Sequence, residues 1–388
     1  MDGPRRQVTG ADALTTQQNG LFQERQERIR RAINLEPVDR IPVVFAGYAF
    51  APRYMGVTLA RACADPEAAY QATIGTLRRL GDIDGIDPLE LGRITLGLAY
   101  FWLSKVATPG KELPEDGLWQ VREAKLTTVE DYDAIVNEGW KPWLWRFLPR
   151  VVDVDELRAD GAWADANLVR AVREVQESGY AIVAVGDTTT PFERLCGGRS
   201  MTQFFADLYR HPKHVKAAMD VMVPDMIKDG AEACLATGVM GAWVGGWRSA
   251  SALVVPRLWN TMVFPYLEQV VNGLADQGVV SVLHLDQDWT RDLVRLRDLP
   301  AKMCVLNLDG MTDVRRAKEI LGDRMAIMGD VPSSLFALGT PDDIYRYVED
   351  LVRDVDPTGL ILCPGCDAPV NAKRENMEAF VAAAREFG

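Results

Sequence analysis

From residue 181 onward, short apolar runs alternate with longer stretches whose apolar positions recur at helical spacing. The runs Ala181–Asp187 (AIVAVGD), Met240–Gly246, Val279–His284 (VVSVLH), Met303–Asp309 (MCVLNLD), Met325–Asp330 (MAIMGD) and Gly359–Cys366 (GLILCPGC) have the length and composition of buried strands. Helices are expected near Ser200–Ala206 and over Pro212–Thr237, Pro256–Gly278, Thr290–Leu296, Asp313–Leu321, Pro341–Asp354 and Ala372–Phe387. Upstream, Leu21–Ile33 carries charge pairs at helical spacing and stops before Pro37. Ile41–Ala46 (IPVVFA) and Asp82–Asp87 (DIDGID) read as two further strands, and Ala64–Leu80 and Asp165–Ser178 as helices. Eight strands, most followed by a helix, predict an α/β fold of the (β/α)8 TIM-barrel type with an amino-terminal helical extension. The rhythm fails once, after the second strand. There Leu89–Leu157, with Trp102, Trp119, Trp140, Trp143 and Trp145 and a hairpin around Leu118–Leu126, reads as an insertion whose 140–145 tryptophans pack it against the barrel. The expected organisation is a flexible segment over 1–20 and a single barrel domain over 21–388, with the excursion at about 89–157.

Such a barrel opens the carboxyl ends of all its strands onto one mouth, where active sites sit. Asp84, Asp87, Asp187, Trp247, His284, Asp286, Asp309, Asp330 and Cys366 all fall at or close to such an end. Side chains alternate along a strand, so in Val279–Trp289 (VVSVLHLDQDW) the residues Val280, Val282, His284 and Asp286 share one face. An imidazole and a carboxylate two residues apart form a two-point grip for a metal ion. A third ligand is expected from the far end of the chain, where Pro364-Gly365 breaks the last apolar run and puts Cys366 at the rim; Cys363, inside the run, is the alternative thiol. Asp288 is the reserve carboxylate. His211 and His214 lie in a basic turn away from the strand ends and are assigned to the surface.

Composition narrows the function classes. The 388-residue chain is 48% hydrophobic, enough for a substantial core, and its formal charge of −12 lacks the basic footprint of nucleic-acid binding. Its six cysteines form no disulfide framework, no run approaches the ~20 apolar residues of a membrane span, and residues 1–20 hold no apolar leader core. A cytoplasmic protein with neither membrane nor nucleic-acid partner is expected.

The order of elements over about 22–386 resembles the uroporphyrinogen decarboxylase superfamily, and within it the cobalamin-dependent methyltransferases. The likeness is strongest in the segments LNLDGM, MAIMGDVPSSLFALGTPDDI and LILCPGCDAPVNAKRENMEAF. That superfamily is a (β/α)8 barrel. Its decarboxylases carry two arginines after the first strand to hold a polycarboxylated tetrapyrrole. In IPVVFAGYAFAPRYMG only Arg53 can be matched, and Ala46 and Gly47 stand where the first arginine is expected. The methyltransferase branch binds zinc through a His-x-Cys and a later Cys; here His284, Asp286 and Cys366 fill those positions, with Asp286 replacing a Cys. That departure shifts the resemblance toward methyltransferases that take methyl from oxygen, such as aryl methyl ether O-demethylases. The resemblance implies zinc on His284, Asp286 and Cys366 with one tetrahedral position open, a methoxylated aromatic as donor, and the cobalt of a corrinoid (cobalamin) on a partner protein as acceptor. In that setting Tyr48, Trp247 and Trp289 are expected to flank the donor ring, and Asp187 and Asp309 to orient a hydroxyl or accept a proton. Methyl transfer from methylcobalamin to a thiol or tetrahydrofolate, and tetrapyrrole decarboxylation, are the alternatives; a homodimer is compatible with each.

Overall fold

The computed structural model describes residues 10–388. Its barrel strands are β1 (Val44–Phe45), β2 (Gly85–Ile86), β3 in two segments (Ala181–Ile182 and Ala184–Thr189), β4 (Gly241–Gly246), β5 (Val280–Leu285), β6 (Cys304–Leu308), β7 (Ala326–Val331) and β8 (Leu360–Pro364). Neighbours pair in parallel from β1 to β8, with β3 shared between two sheets and a bulge between Ala184 and Gly186. The circle closes where Val43 bridges Leu362 and the Leu362 N–H donates to the Pro42 carbonyl.

Alternation builds the two cores. Val44, Val280, Val282, Val305, Met328 and Ile361 point inward and fill the barrel, while Leu283, Leu285, Leu306, Leu308 and Ile327 point outward beneath the helices. The expected amino-terminal helix spans Gly10–Ile33 and plugs the bottom, where Ile29, Ala32 and Ile33 join the inner cluster. Of the flexible segment expected over 1–20, residues 1–9 lie outside the described residues. Residues 10–20 contain no proline to stop the helix and belong to it. At this bottom end the Asp84 carboxylate takes Arg28 Nη1 at 2.5 Å, Arg40 Nη1 at 2.7 Å and the Val43 N–H at 2.8 Å. Asp84 is therefore not at the mouth, as expected, but at the opposite end: β2 has two residues, and Asp84 precedes it while Asp87 follows it.

The insertion folds as the helices Ile94–Trp102, Val129–Glu138 and Trp140–Phe147 around a small hairpin. That hairpin pairs Lys105–Ala107 with Gln120–Arg122, so the strand expected near 118–126 finds its partner upstream instead of within that segment. Trp140, Trp143 and Phe147 stack with centroids 5.4 and 5.1 Å apart and are buried, which is the packing role expected of them; Trp145 stays 40% exposed. The insertion ends where Asp153 caps the long helix Val154–Glu177, which starts earlier than the expected Asp165. Among the described residues no helix is long and apolar enough to cross a membrane.

Candidate metal centre and its cleft

The alternation that sends Val280 and Val282 into the barrel carries His284 to the same face, and Asp286 follows where β5 opens into a loop. β8 ends in a turn built for close approach. A Cβ on Gly365 would stand 3.0 Å from the Asp309 carbonyl oxygen and 3.2 Å from that of Val331. Cys366 follows at φ +64, a left-handed conformation that costs a side-chain-bearing residue on the order of 1–3 kcal/mol. The Ser333 hydroxyl braces the turn, lying 2.6 and 2.8 Å from the carbonyl oxygens of Gly365 and Asp367. Together these elements bring one ligand atom each of His284, Asp286 and Cys366 within 4.8 Å of one another. Among the described residues no other group of three His, Cys, Asp or Glu is so arranged.

Electrostatics favour a cation there. Burial works against a charged imidazole at His284, but Cys366 and Asp286 outweigh it and hold the ring proton well above the ordinary value. Burial also works against the Asp286 carboxylate, yet contact with His284 keeps its carboxyl low; burial lifts the Cys366 thiol to about 11. Asp286 Oδ1 is buried with no hydrogen-bond partner among the described residues and lies 3.4 Å from His284 Nε2. That separation is close to the edge of a tetrahedron with metal–ligand bonds of ~2.0–2.1 Å, so the donor set fits a zinc ion. This buried oxygen, facing the imidazole across 3.4 Å with a sulfur beside them, gives three ligand atoms that one metal ion could share in place of the ring proton.

A second layer orients these groups. His284 Nδ1 lies 2.5 Å from the Asn307 side-chain oxygen, while the Asn307 amide donates to the Met328 carbonyl; this assigns the proton to Nδ1 and turns Nε2 toward Asp286. The Trp289 indole N–H donates to the Asp286 carbonyl at 2.8 Å, and the Asp309 carboxylate accepts the N–H groups of Gln287 and Met311, each at 2.8 Å. These two residues therefore hold the loop that carries Asp286. This differs from their expected roles: both Asp309 oxygens are taken by backbone donors, and Trp289 is 1% exposed and packed edge-on against Trp259. Trp247 is half-buried, with its N–H on Glu193 and its ring covered by the Arg248 guanidinium at 4.1 Å. Asp330 is buried and accepts the Tyr347 hydroxyl at 2.8 Å. Cys363 is wholly buried among the inner barrel residues, and the cluster takes Cys366 instead.

Four carboxyls gather beside the trio. Burial raises Asp87 and Asp367 to about 7, with His284 opposing in both, and raises Glu90 to about 8 with help from Asp187. Asp187 is raised by burial against the pull of Arg194. Glu90 and Asp187 are enclosed by protein yet open to solvent through a cleft. Tyr48 lies among them: its N–H donates to Asp367 at 3.2 Å, and its buried hydroxyl lies against Glu90, where it opposes the rise of that carboxyl. Trp243 forms the wall next to the trio, its ring centroid 5.1 Å from that of His284; Gly245 makes room, because a Cβ there would fall 2.2 Å from the indole. Glu90, Asp367, Trp243 and Asn307 are the residues that sequence reasoning missed. Strand parity could have found two of them, since Trp243 and Asn307 share the inward face with Gly245 and Val305.

Comparison with known proteins adds a family. A model of the family described as "Uroporphyrinogen decarboxylase (URO-D)" matches residues 148–387. Curated relatives include the uroporphyrinogen decarboxylases of Geobacter sulfurreducens and Geobacter metallireducens, 24% and 25% identical over 324 residues, covering 78% of this chain and 82% of each relative. Among solved structures, a methyltransferase from Methanosarcina mazei superposes with a TM-score of 0.69 at 18% identity, covering 94% of this chain and 98% of that one. At that identity the likeness speaks for the barrel.

Proposed function

This chain belongs to the uroporphyrinogen decarboxylase family, and from that premise we propose that it is a methyltransferase moving a methyl group from an oxygen donor, a methoxylated aromatic, to the cobalt of a corrinoid carried by a partner protein. The observation that carries this reading is the meeting of His284, Asp286 and Cys366 around an unpartnered, buried carboxylate oxygen. Zinc held by these three would supply a Lewis acid that stabilises the oxygen as it gives up its methyl group.

The chain's own residues do the rest. Asn307 keeps the His284 ring in one orientation, and Trp289 and Asp309 fix the Asp286 loop. In the proposed transfer the methyl–oxygen bond would break with its electron pair left on oxygen, which takes up a proton, and the reduced corrinoid of the partner, as co-substrate, would supply the electron pair of its new bond to methyl. Asp87 is suited to hold that proton: burial keeps its carboxyl near pH 7, one of its oxygens is unpartnered, and it is electrostatically coupled to His284. Asp187, at the cleft, orients the donor. Six free thiols accord with a reducing, cytoplasmic setting.

The names of the curated relatives favour tetrapyrrole decarboxylation as the second reading. Against it, Arg53 pairs with Asp116 of the insertion at 2.7 Å and is 43% exposed, so it offers no buried clamp for a polyanion. The deciding experiment is metal analysis of protein purified without added zinc, followed by spectroscopy with a reduced corrinoid protein and 2-methoxyphenol. About one zinc per chain and the appearance of methylcobalt absorbance are expected. A metal-free chain that decarboxylates uroporphyrinogen selects the second reading.

A further inference from the structure

We propose that the cleft beside the trio selects a donor whose ring carries a hydrogen-bond-donating head, a hydroxyl or an ammonium, and excludes donors that bear a carboxylate; this rests on the methyl-transfer reading above. The cleft has a volume of about 270 Å³. A cavity of ~150 Å³ already holds benzene, so the space suits one substituted ring. Its walls are Phe101, Trp102 and Trp243 with Ile94 and Leu98, an apolar slot whose Trp243 side leads to His284.

Every ionisable residue lining this slot is acidic: Glu90, Asp165 and Asp187, with no Lys, Arg or His among the described lining residues. Two guanidiniums stand behind its aromatic walls, Arg194, whose charge pulls on Asp187, and Arg248, 4.9 Å from the Trp102 ring; neither lines the cleft. The Arg194 guanidinium is caged by aromatic rings, 4.8 Å from Phe101, 5.2 Å from Tyr100 and 6.0 Å from Trp140, and does not line the cleft. A slot so furnished offers carboxyl oxygens as acceptors and, among its described lining residues, no cation for an anion. A donor carboxylate would meet acidic residues and no cation among the described lining residues, whereas a hydroxyl or ammonium would donate to the carboxyl oxygens of Glu90 and Asp187. Insertion residues supply four of the five walls named, so the excursion from the barrel is what shapes this choice.

The test is binding alone, by calorimetry on the metal-loaded full chain without corrinoid, using 2-methoxyphenol, 4-methoxybenzylamine, methoxybenzene and 4-methoxybenzoate. The phenol or the amine should bind at least ~10-fold more tightly than methoxybenzene, and the benzoate at least ~100-fold more weakly than the better of the two; the tighter of phenol and amine names the head. Measured at pH 9, above the value of about 8 that burial and Asp187 give Glu90, the penalty against the benzoate should shrink about tenfold or more in Glu90→Gln and Asp187→Asn. Benzoate binding as tight as that of the phenol or amine, or ratios unmoved in both variants, overturns the assignment and hands the carboxylate to Arg194. Because cobalt is absent, preserved ratios with failed methyl transfer would remove the reaction and keep the cleft, and the converse result would do the opposite.

Discussion

Asp84 and Asp87 flank the same two-residue strand and live in opposite electrostatic worlds. Asp84, at the barrel's bottom, is wholly buried and saturated by two arginines and a backbone N–H. Asp87, at the mouth, is just as deep, but one of its oxygens has no partner among the described residues and its carboxyl stays protonated to about pH 7. A charge whose every lone pair is occupied holds a fold in register; a polar atom left open in the same barrel marks where something else is to bind. The difference separates the stabilising end from the reactive end without reference to any relative.

The comparison breaks most visibly at the mouth. His284→Ala should remove the metal and lower methyl transfer on the order of 10³-fold or more, with the unfolding midpoint of the metal-free protein nearly unchanged; retained metal would deny the trio its role. At the bottom the pattern inverts. Arg28→Ala should cost about 3 kcal/mol in chemical denaturation, since it strips a partner from the buried Asp84, while metal content per folded chain stays constant. Asn307→Ala sharpens the contrast between ligand and support: chelator competition should show roughly 10–100-fold weaker metal binding, with all three ligands still present.

The smallest effect tests a carboxyl near the mouth that is satisfied. Asp330 is raised to about 6 by burial, with Tyr347 opposing, from an ordinary 3.8. The folded chain therefore holds this proton up to about pH 6, whereas the unfolded chain releases it near pH 4. The resulting cost to stability is absent below pH 4, grows between pH 4 and 6 and is constant above. Asp330→Asn should thus gain about 1 kcal/mol at pH 8 and nothing at pH 4; an equal gain at both values would remove burial as the cause.

Local pattern carried the trio. Period-two alternation in VVSVLHLD put His284 and Asp286 on the barrel face, and the Pro364-Gly365 break put Cys366 past its strand. The same alternation held Asn307 and Trp243 in plain view, but nothing local marks an amide and an indole among apolar neighbours as part of a site. What could not be read locally was direction and docking. DIDGID carries no sign of which carboxylate faces the plug and which the mouth, because a strand of two residues has no pattern of its own. Glu90 begins the insertion, and its place beside Tyr48 depends on how some sixty residues fold back, a matter of long-range packing. Asp309 stands at a strand end as expected and Trp289 in the loop after β5, yet their hydrogen bonds run into the scaffold.

The seam of the barrel has one more consequence. β8 both shuts the circle, through Leu362 against Val43, and delivers Cys366 to the trio. An ion gripped there works as a clasp, fastening the last strand to β5 several staves away. Chelation should accordingly loosen the carboxyl-terminal tail before the rest of the cylinder, seen as earlier amide exchange in 360–366, and each tenfold excess of free metal over its dissociation constant should tighten the ring by about 1.4 kcal/mol.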